Sequence, residues 1–202
     1  MIHNSLNPEF ATKFIIEYRF EEVQKLKFQL YDIDGNSLCL DDHELLGEVE
    51  CTLGQIISSS DFTFPLHSES DRNTGQLVIL SEEIGNVKEE VELLFRGEDF
   101  KKSGFLSKPD PFLAIYKENS TQSQLVYRSS HIDDTCKPQW PVFTLPMRVL
   151  MWNNEPDCKL LIQCWNYNQN GSHKLIGEVR ATTQEILKGP QTFSLTNKVC
   201  GI

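Results

Sequence analysis

Hydrophobic and polar residues alternate along several short segments of the chain. From Lys25 to Tyr31, Leu26, Phe28 and Leu30 would lie on one face of a strand, with the lysines and Gln29 on the other. The same period predicts strands bounded by Asn, Asp, Gly, Ser or Pro at Phe14–Phe20, Glu48–Leu53, Gln76–Leu80, Val91–Phe95, Pro111–Tyr116 and Lys159–Trp165. Only two short helices are expected, over Leu53–Ser58 and Thr183–Lys188. This pattern predicts an all-β fold of antiparallel strands, most simply a sandwich.

The sequence also contains an internal repeat. Pro8 and Gly47 are 39 residues apart, and so are Pro138 and Gly177. The matched segments, in order and at a spacing near 130 residues, are Asn7–Phe10 with Lys137–Trp140, Gln29–Asp34 with Gln163–Asn168, and Leu45–Val49 with Leu175–Val179. Three ordered matches predict two copies of one domain, over residues 1–82 and 83–202. We expect the first copy to be incomplete at its N-terminal side and the second to lack its last strand.

Composition and charge narrow the classes of partner. With 39% hydrophobic residues the chain should build real cores, and its formal net charge of −10 argues against a nucleic-acid partner. No secretory signal is visible at the start, so the protein is expected to be cytoplasmic and not secreted. The six scattered cysteines have no metal-binding spacing and are interpreted as free thiols.

The most distinctive chemistry lies in an acidic loop after the strand at Lys25–Tyr31. Residues 32–44 contain five carboxylates in thirteen positions. Ca²⁺ prefers hard oxygen ligands and takes ~6 to 8 of them, so a calcium site is one interpretation and a solvated acidic turn is the other. An EF-hand is excluded because Ser37 stands at the position that needs glycine and His43 at the position of the bidentate glutamate.

The twofold array of strand, acidic or amide loop and Leu-x-Gly-Glu resembles tandem C2 domains, and more narrowly the copine family. The segments that carry this resemblance are Tyr18–Phe28, Tyr31–Asp34 and Glu50–Ser59 in the first copy, and Ser107–Leu113, Leu125–Ser129 and Gly171–Gly177 in the second. The resemblance implies two antiparallel Greek-key β-sandwiches. No segment matches the von Willebrand factor A-like domain of copines.

The resemblance also implies where calcium would bind. In the first copy the matching ligands are Asp32, Asp34, Asp42 and Glu44, with the earlier ligand loop lacking, so weak binding is expected. In the second copy only Asp110 keeps an acidic side chain, and the other positions hold Gly104, Asn166, Asn168 and Lys174. A lysine ammonium and uncharged amides disfavour a divalent cation, so no calcium is expected there.

Contact with a membrane is expected to use a basic and apolar loop of the second copy. Its residues are Lys101, Lys102, Phe105, Leu106 and Lys108. Lysines attract anionic headgroups and exposed apolar tips insert between them. The alternative is a solvated lysine cluster with aromatic side chains that face the core.

Together these features predict a calcium-dependent phospholipid-binding protein, recruited from the cytosol to phosphatidylserine-like anionic lipid at the plasma membrane as a signalling or trafficking adaptor. The alternative is a calcium-independent scaffold that binds protein partners. We expect no enzyme, because the sequence has no nucleophile elbow, zinc-protease motif, Walker loop or dinucleotide fingerprint.

Overall fold

Short alternating strands pair into antiparallel sheets throughout the computed structural model. It describes residues 2–33, 35, 37, 39–58, 63–68, 75–84, 88–101, 107–152, 155 and 157–197. The chain divides into two units, a first unit of Phe14–Glu83 and a second unit of Ile84–Ile202 together with Met1–Lys13. The all-β prediction is confirmed. The predicted domain ranges, 1–82 and 83–202, stay a prediction.

The first unit is built on one long hairpin. Its elements are β1 (Lys25–Asp32), a 3-10 turn (Leu40–Asp42), β2 (Glu44–Thr52), α1 (Leu53–Ser58), β3 (Thr63–Pro65) and β4 (Gln76–Val78). Strand β1 pairs with β2, and β3 pairs with β4. Val49, Leu53, Ile56 and Leu66 are buried in this unit. Among the described residues, β1 has a partner strand on one edge only.

The second unit has two layers of strands. Its elements are β5 (Glu90–Leu93), β6 (Pro111–Glu118), β7 (Ser123–Arg128), β8 (Phe143–Pro146), a 3-10 turn (Met147–Leu150), β9 (Lys159–Asn166), β10 (Lys174–Thr182) and α2 (Thr183–Leu187). One layer is a sheet in the order β10-β9-β6-β7, and the other pairs β5 with β8. The chain therefore leaves the large sheet after β7 and returns as β9 beside β6.

Apolar side chains from both layers of the second unit meet in one core. Its buried members are Leu113, Ile115, Val126, Trp140, Leu145, Leu150, Leu160, Ile162 and Cys164, and Val91, Leu93 and Phe143 pack against them. Trp140 donates its indole N–H to the carbonyl oxygen of Pro111 at 3.3 Å. Burying such side chains stabilises the unit by about 1.5–3 kcal/mol each, before the entropy cost of ordering them.

The repeat seen in the sequence is present in the structure. A shift of 130 residues superposes the bounds of β2 on those of β10, and a shift of 134 superposes β1 on β9. Both copies turn from strand to helix at a capping box. Thr52 and Gln55 exchange two backbone-to-side-chain hydrogen bonds at 2.8 and 3.1 Å, and Thr182 and Glu185 do so at 2.8 and 3.2 Å.

The predicted strand at Phe14–Phe20 is wrong, because this segment has no regular structure. Its counterpart in the repeat includes β8, which obtains its ladder hydrogen bonds from β5. No described strand pairs with the segment in the first unit. Its backbone groups bond locally instead, with Arg19 N–H donating to Gln24 Oε1 and Gln24 Nε2 to the carbonyl oxygen of Glu17, both at 2.8 Å.

Candidate functional site

Two predicted calcium ligands face each other at the end of the hairpin in the first unit. Asp32 is the last residue of β1, Glu44 is the first of β2, and the register places them directly opposite each other. Both are exposed. Like charges in such a cross-strand pair destabilise a sheet by roughly 0.2–1 kcal/mol. This end of the hairpin therefore offers carboxylate oxygens that a cation would stabilise.

The loop between the two strands holds the third described ligand in another contact. Asp42 lies in the 3-10 turn, where its Oδ2 accepts a hydrogen bond from Ser37 Oγ at 2.5 Å. Ser37 Oγ in turn accepts from the backbone N–H of Cys39 at 3.1 Å. Asp42 thus helps to order its own loop. Asp34, the fourth predicted ligand of this copy, lies outside the described residues.

The donor set of the first unit fits calcium in kind. Carboxylate oxygens are the ligands that Ca²⁺ prefers. Within the described ranges, no group of three or more His, Cys, Asp or Glu side chains is arranged to hold a metal ion. Asp32 and Glu44 therefore form the described part of the candidate site, and a complete coordination sphere needs further oxygens from lipid, water or Asp34.

The second unit has a different pair at the same place in the hairpin. Lys174 lies opposite Asn166 where the first unit has Glu44 opposite Asp32. The Asn166 Oδ1 atom accepts the backbone N–H of Asp110 at 2.7 Å, and the Asp110 Oδ1 atom accepts that of Asp134 at 2.7 Å. Backbone hydrogen bonds thus occupy two of the oxygens that the family resemblance would assign to calcium.

The predicted membrane-binding residues are described only in part. Lys101 is exposed. Lys108 is also exposed, and its Nζ lies 3.6 Å from a carboxylate oxygen of Asp134. Lys102, Phe105 and Leu106 lie outside the described residues. An exposed ion pair of this kind contributes about 0–1 kcal/mol, so it leaves Lys108 free to exchange Asp134 for another anion.

The sequence analysis missed a cationic and aromatic cluster in the second unit. Arg128, at the end of β7, lies 4.4 Å from the centre of the Phe112 ring, with its Nη2 3.1 Å from His173 Nε2. The rings of His131 and Tyr167 stack with centroids 4.0 Å apart. Burial, and then the charges of Arg128 and His131, lower the pKa of His173. Nothing in the local sequence marks this cluster, because Arg128 and His173 are 45 positions apart.

Comparison with known proteins identifies the repeated unit. A family model described as "C2 domain" matches residues 1–68 and 92–196. Similar solved structures include BON1-C2B, with 26% identity, covering 49% of this chain and 67% of that chain, at a TM-score of 0.44. A C2 domain of RIM2 has 16% identity, 56% and 90% coverage, and a TM-score of 0.41. A C2 domain of RIM from Drosophila has 18% identity, 48% and 86% coverage, and a TM-score of 0.28. No helix of the described residues is long and apolar enough to cross a membrane.

Proposed function

Since the chain belongs to the C2 domain family, we propose that it is a peripheral membrane-binding protein of the copine type. C2 domains generally mediate calcium-dependent lipid binding or protein interaction. The proposal assigns binding rather than catalysis to this chain. Calcium recruits its first unit from the cytosol to anionic phospholipid of the phosphatidylserine kind at the plasma membrane.

The observation that carries the proposal is the opposition of Asp32 and Glu44 across the hairpin. Two exposed carboxylates in this arrangement repel each other, and a divalent cation that bridges them to anionic headgroups removes the repulsion. Because few ligands are fixed in advance, the affinity belongs at or beyond the weak end of the calcium range, about 10⁻⁴ to 10⁻³ M. Headgroup oxygens then complete the coordination sphere, so calcium and lipid bind together.

The second unit supports a role that does not depend on calcium. Its Lys174 and Asn166 replace the acidic pair, and backbone N–H groups bond to the oxygens of Asp110 and Asn166. A constitutive lipid or protein contact fits this neutral, hydrogen-bonded loop end. A calcium-independent scaffold for protein partners is therefore the second candidate function.

Cosedimentation with phosphatidylserine vesicles, in millimolar calcium or in chelator, tests the proposal. The test variant carries Asp32→Asn and Glu44→Gln, and the matched control carries Asp41→Asn and Glu50→Gln. Both change the net charge by the same amount within the same hairpin. We expect calcium to bring the wild type and the control to the vesicles and to leave the test variant in solution.

Two other outcomes would contradict calcium recruitment through this pair. If the wild type binds equally in calcium and in chelator, the calcium-independent function takes its place. If both double variants lose recruitment together, the effect is one of overall charge and not of the opposed pair.

A further inference from the structure

The contact between Arg128 and His173 joins two groups of the second unit that both carry hydrogen-bond donors. Arg128 Nη2 lies 3.1 Å from His173 Nε2, and both side chains are partly buried. The other ring nitrogen, Nδ1, lies 3.1 Å from the backbone nitrogen of Asn168. Both ring nitrogens of His173 therefore face an N–H group.

A neutral imidazole cannot accept at both nitrogens, because one of them carries its proton. The backbone N–H of Asn168 is a fixed donor, so Nδ1 accepts and Nε2 carries the proton. Arg128 Nη2 and His173 Nε2 are then two donors directed at each other. In the opposite tautomer the mismatch moves to Asn168, so one donor always lacks an acceptor. A partly buried donor without an acceptor costs about 1–3 kcal/mol.

The charge of Arg128 is not balanced within the described part of the chain. No carboxylate there forms an ion pair with it. The two nearby carboxylates have other partners, since Glu9 Oε2 accepts from Tyr116 Oη at 3.3 Å and Asp133 Oδ1 lies 3.2 Å from His131 Nε2. The lowered pKa of His173 agrees with a local excess of positive charge.

An open cavity gives a ligand access to these donors. Its volume is about 420 Å³, and its walls include Arg128, His131, His173, Ser129, Ser130 and Glu9. Stacking on Phe112 holds the guanidinium at this wall. The cavity thus combines a fixed cation, a second N–H donor and two serines.

We propose that Arg128 and His173 bind the oxyanion of a phosphate mono- or diester. One phosphate oxygen between Nη2 and Nε2 accepts from both, which turns a donor–donor contact into two charge-assisted hydrogen bonds. The phosphate comes either from a lipid headgroup or from a soluble phosphate compound. The site goes beyond the proposed function, because it needs neither calcium nor the first unit.

The test is a titration of the full chain with inorganic phosphate in chelator, followed by NMR signals of the Arg128 guanidinium and the His173 ring. Arg128→Gln and His173→Ala are each expected to raise the dissociation constant at least roughly tenfold. His173→Gln should retain more affinity, because its amide can still donate near the Nε2 position. Glu9→Gln should lower the dissociation constant, since it removes a carboxylate from the cavity wall. Lys159→Gln is the matched control, because it removes one positive charge at the far end of β9.

A second arm uses phosphatidylcholine vesicles with and without phosphatidic acid, also in chelator. Binding to phosphatidic acid that is lost in Arg128→Gln supports a lipid phosphate as the ligand. A response to free phosphate without vesicle binding supports a soluble one. The proposal is overturned if neither probe binds, or if Lys159→Gln weakens binding as much as Arg128→Gln. The acidic pair of the first unit plays no part in this test, so its failure would leave calcium recruitment untouched.

Discussion

Replacing Trp140 with alanine tests the inequality between the two copies of the repeat. Trp140 is 2% exposed in the core of the second unit, whereas Phe10, its counterpart in the repeat, is 51% exposed. Truncating a buried tryptophan costs about 3–5 kcal/mol of the free energy of unfolding. Loss of the hydrogen bond to the buried Pro111 carbonyl adds about 1 kcal/mol. Phe10→Ala should cost less than about 1 kcal/mol.

Urea denaturation followed by tryptophan fluorescence measures these changes in the second unit alone. All three tryptophans, Trp140, Trp152 and Trp165, lie in that unit. Because a domain is stable by only about 5–15 kcal/mol, Trp140→Ala could leave too little native protein to measure. Trp140→Phe keeps most of the volume, and its expected cost is about 1–2 kcal/mol. Equal losses in the Phe10 and Trp140 variants would refute the burial difference on which the comparison rests.

Three further predictions concern the second unit. Gly171→Ala should destabilise it by about 1–2 kcal/mol in the same assay, because Gly171 has a φ of +81° and a methyl group there would collide with the carbonyl oxygen of Asn4; an unchanged midpoint would contradict this. Since the pKa of His173 is lowered from 6.5, the neutral ring is favoured in the native state, so its contribution to stability is complete above pH 6.5 and is lost as the pH falls towards the native pKa. His173→Gln should lose less stability over that range, and parallel pH profiles would exclude this cause. Burial raises the pKa of Cys164 to about 12, so a thiol reagent should modify exposed Cys39 in the native protein and spare Cys164, and rapid labelling of Cys164 would argue against the core.

The sequence predicts those elements whose signals are local. β1 and β9 each bury one face, so the alternation of Leu26, Phe28 and Leu30, and its counterpart in β9, follows directly from the period of a strand. The capping boxes at Thr52 and Thr182 likewise mark the starts of both helices with side chains three residues apart. In these cases the residues that determine the element lie within it.

Prediction fails where structure depends on a distant partner. Phe14–Phe20 alternates as well as β1 does, but a strand needs a neighbour for its backbone hydrogen bonds, and none of the described strands supplies one. The candidate sites follow the same rule. Asp32 and Glu44 flank one loop, so the hairpin predicts their meeting, whereas Arg128 and His173 come together only through the packing of β7, β6, β9 and β10.

The two units treat the same end of the same hairpin in opposite ways. The first keeps two opposed carboxylates, Asp32 and Glu44, whose repulsion only a bound cation removes. The second has Asn166 and Lys174 there, and its loop is already satisfied by backbone hydrogen bonds. If both proposals hold, the second unit supplies a constant weak affinity for phosphate and the first adds a calcium-dependent one. Linking two weak sites in one chain raises the overall affinity by roughly 10²–10⁴ over either alone, provided that both can engage the membrane at once. Calcium would then act as a switch between one-site and two-site binding, which makes a weak calcium site sufficient for recruitment.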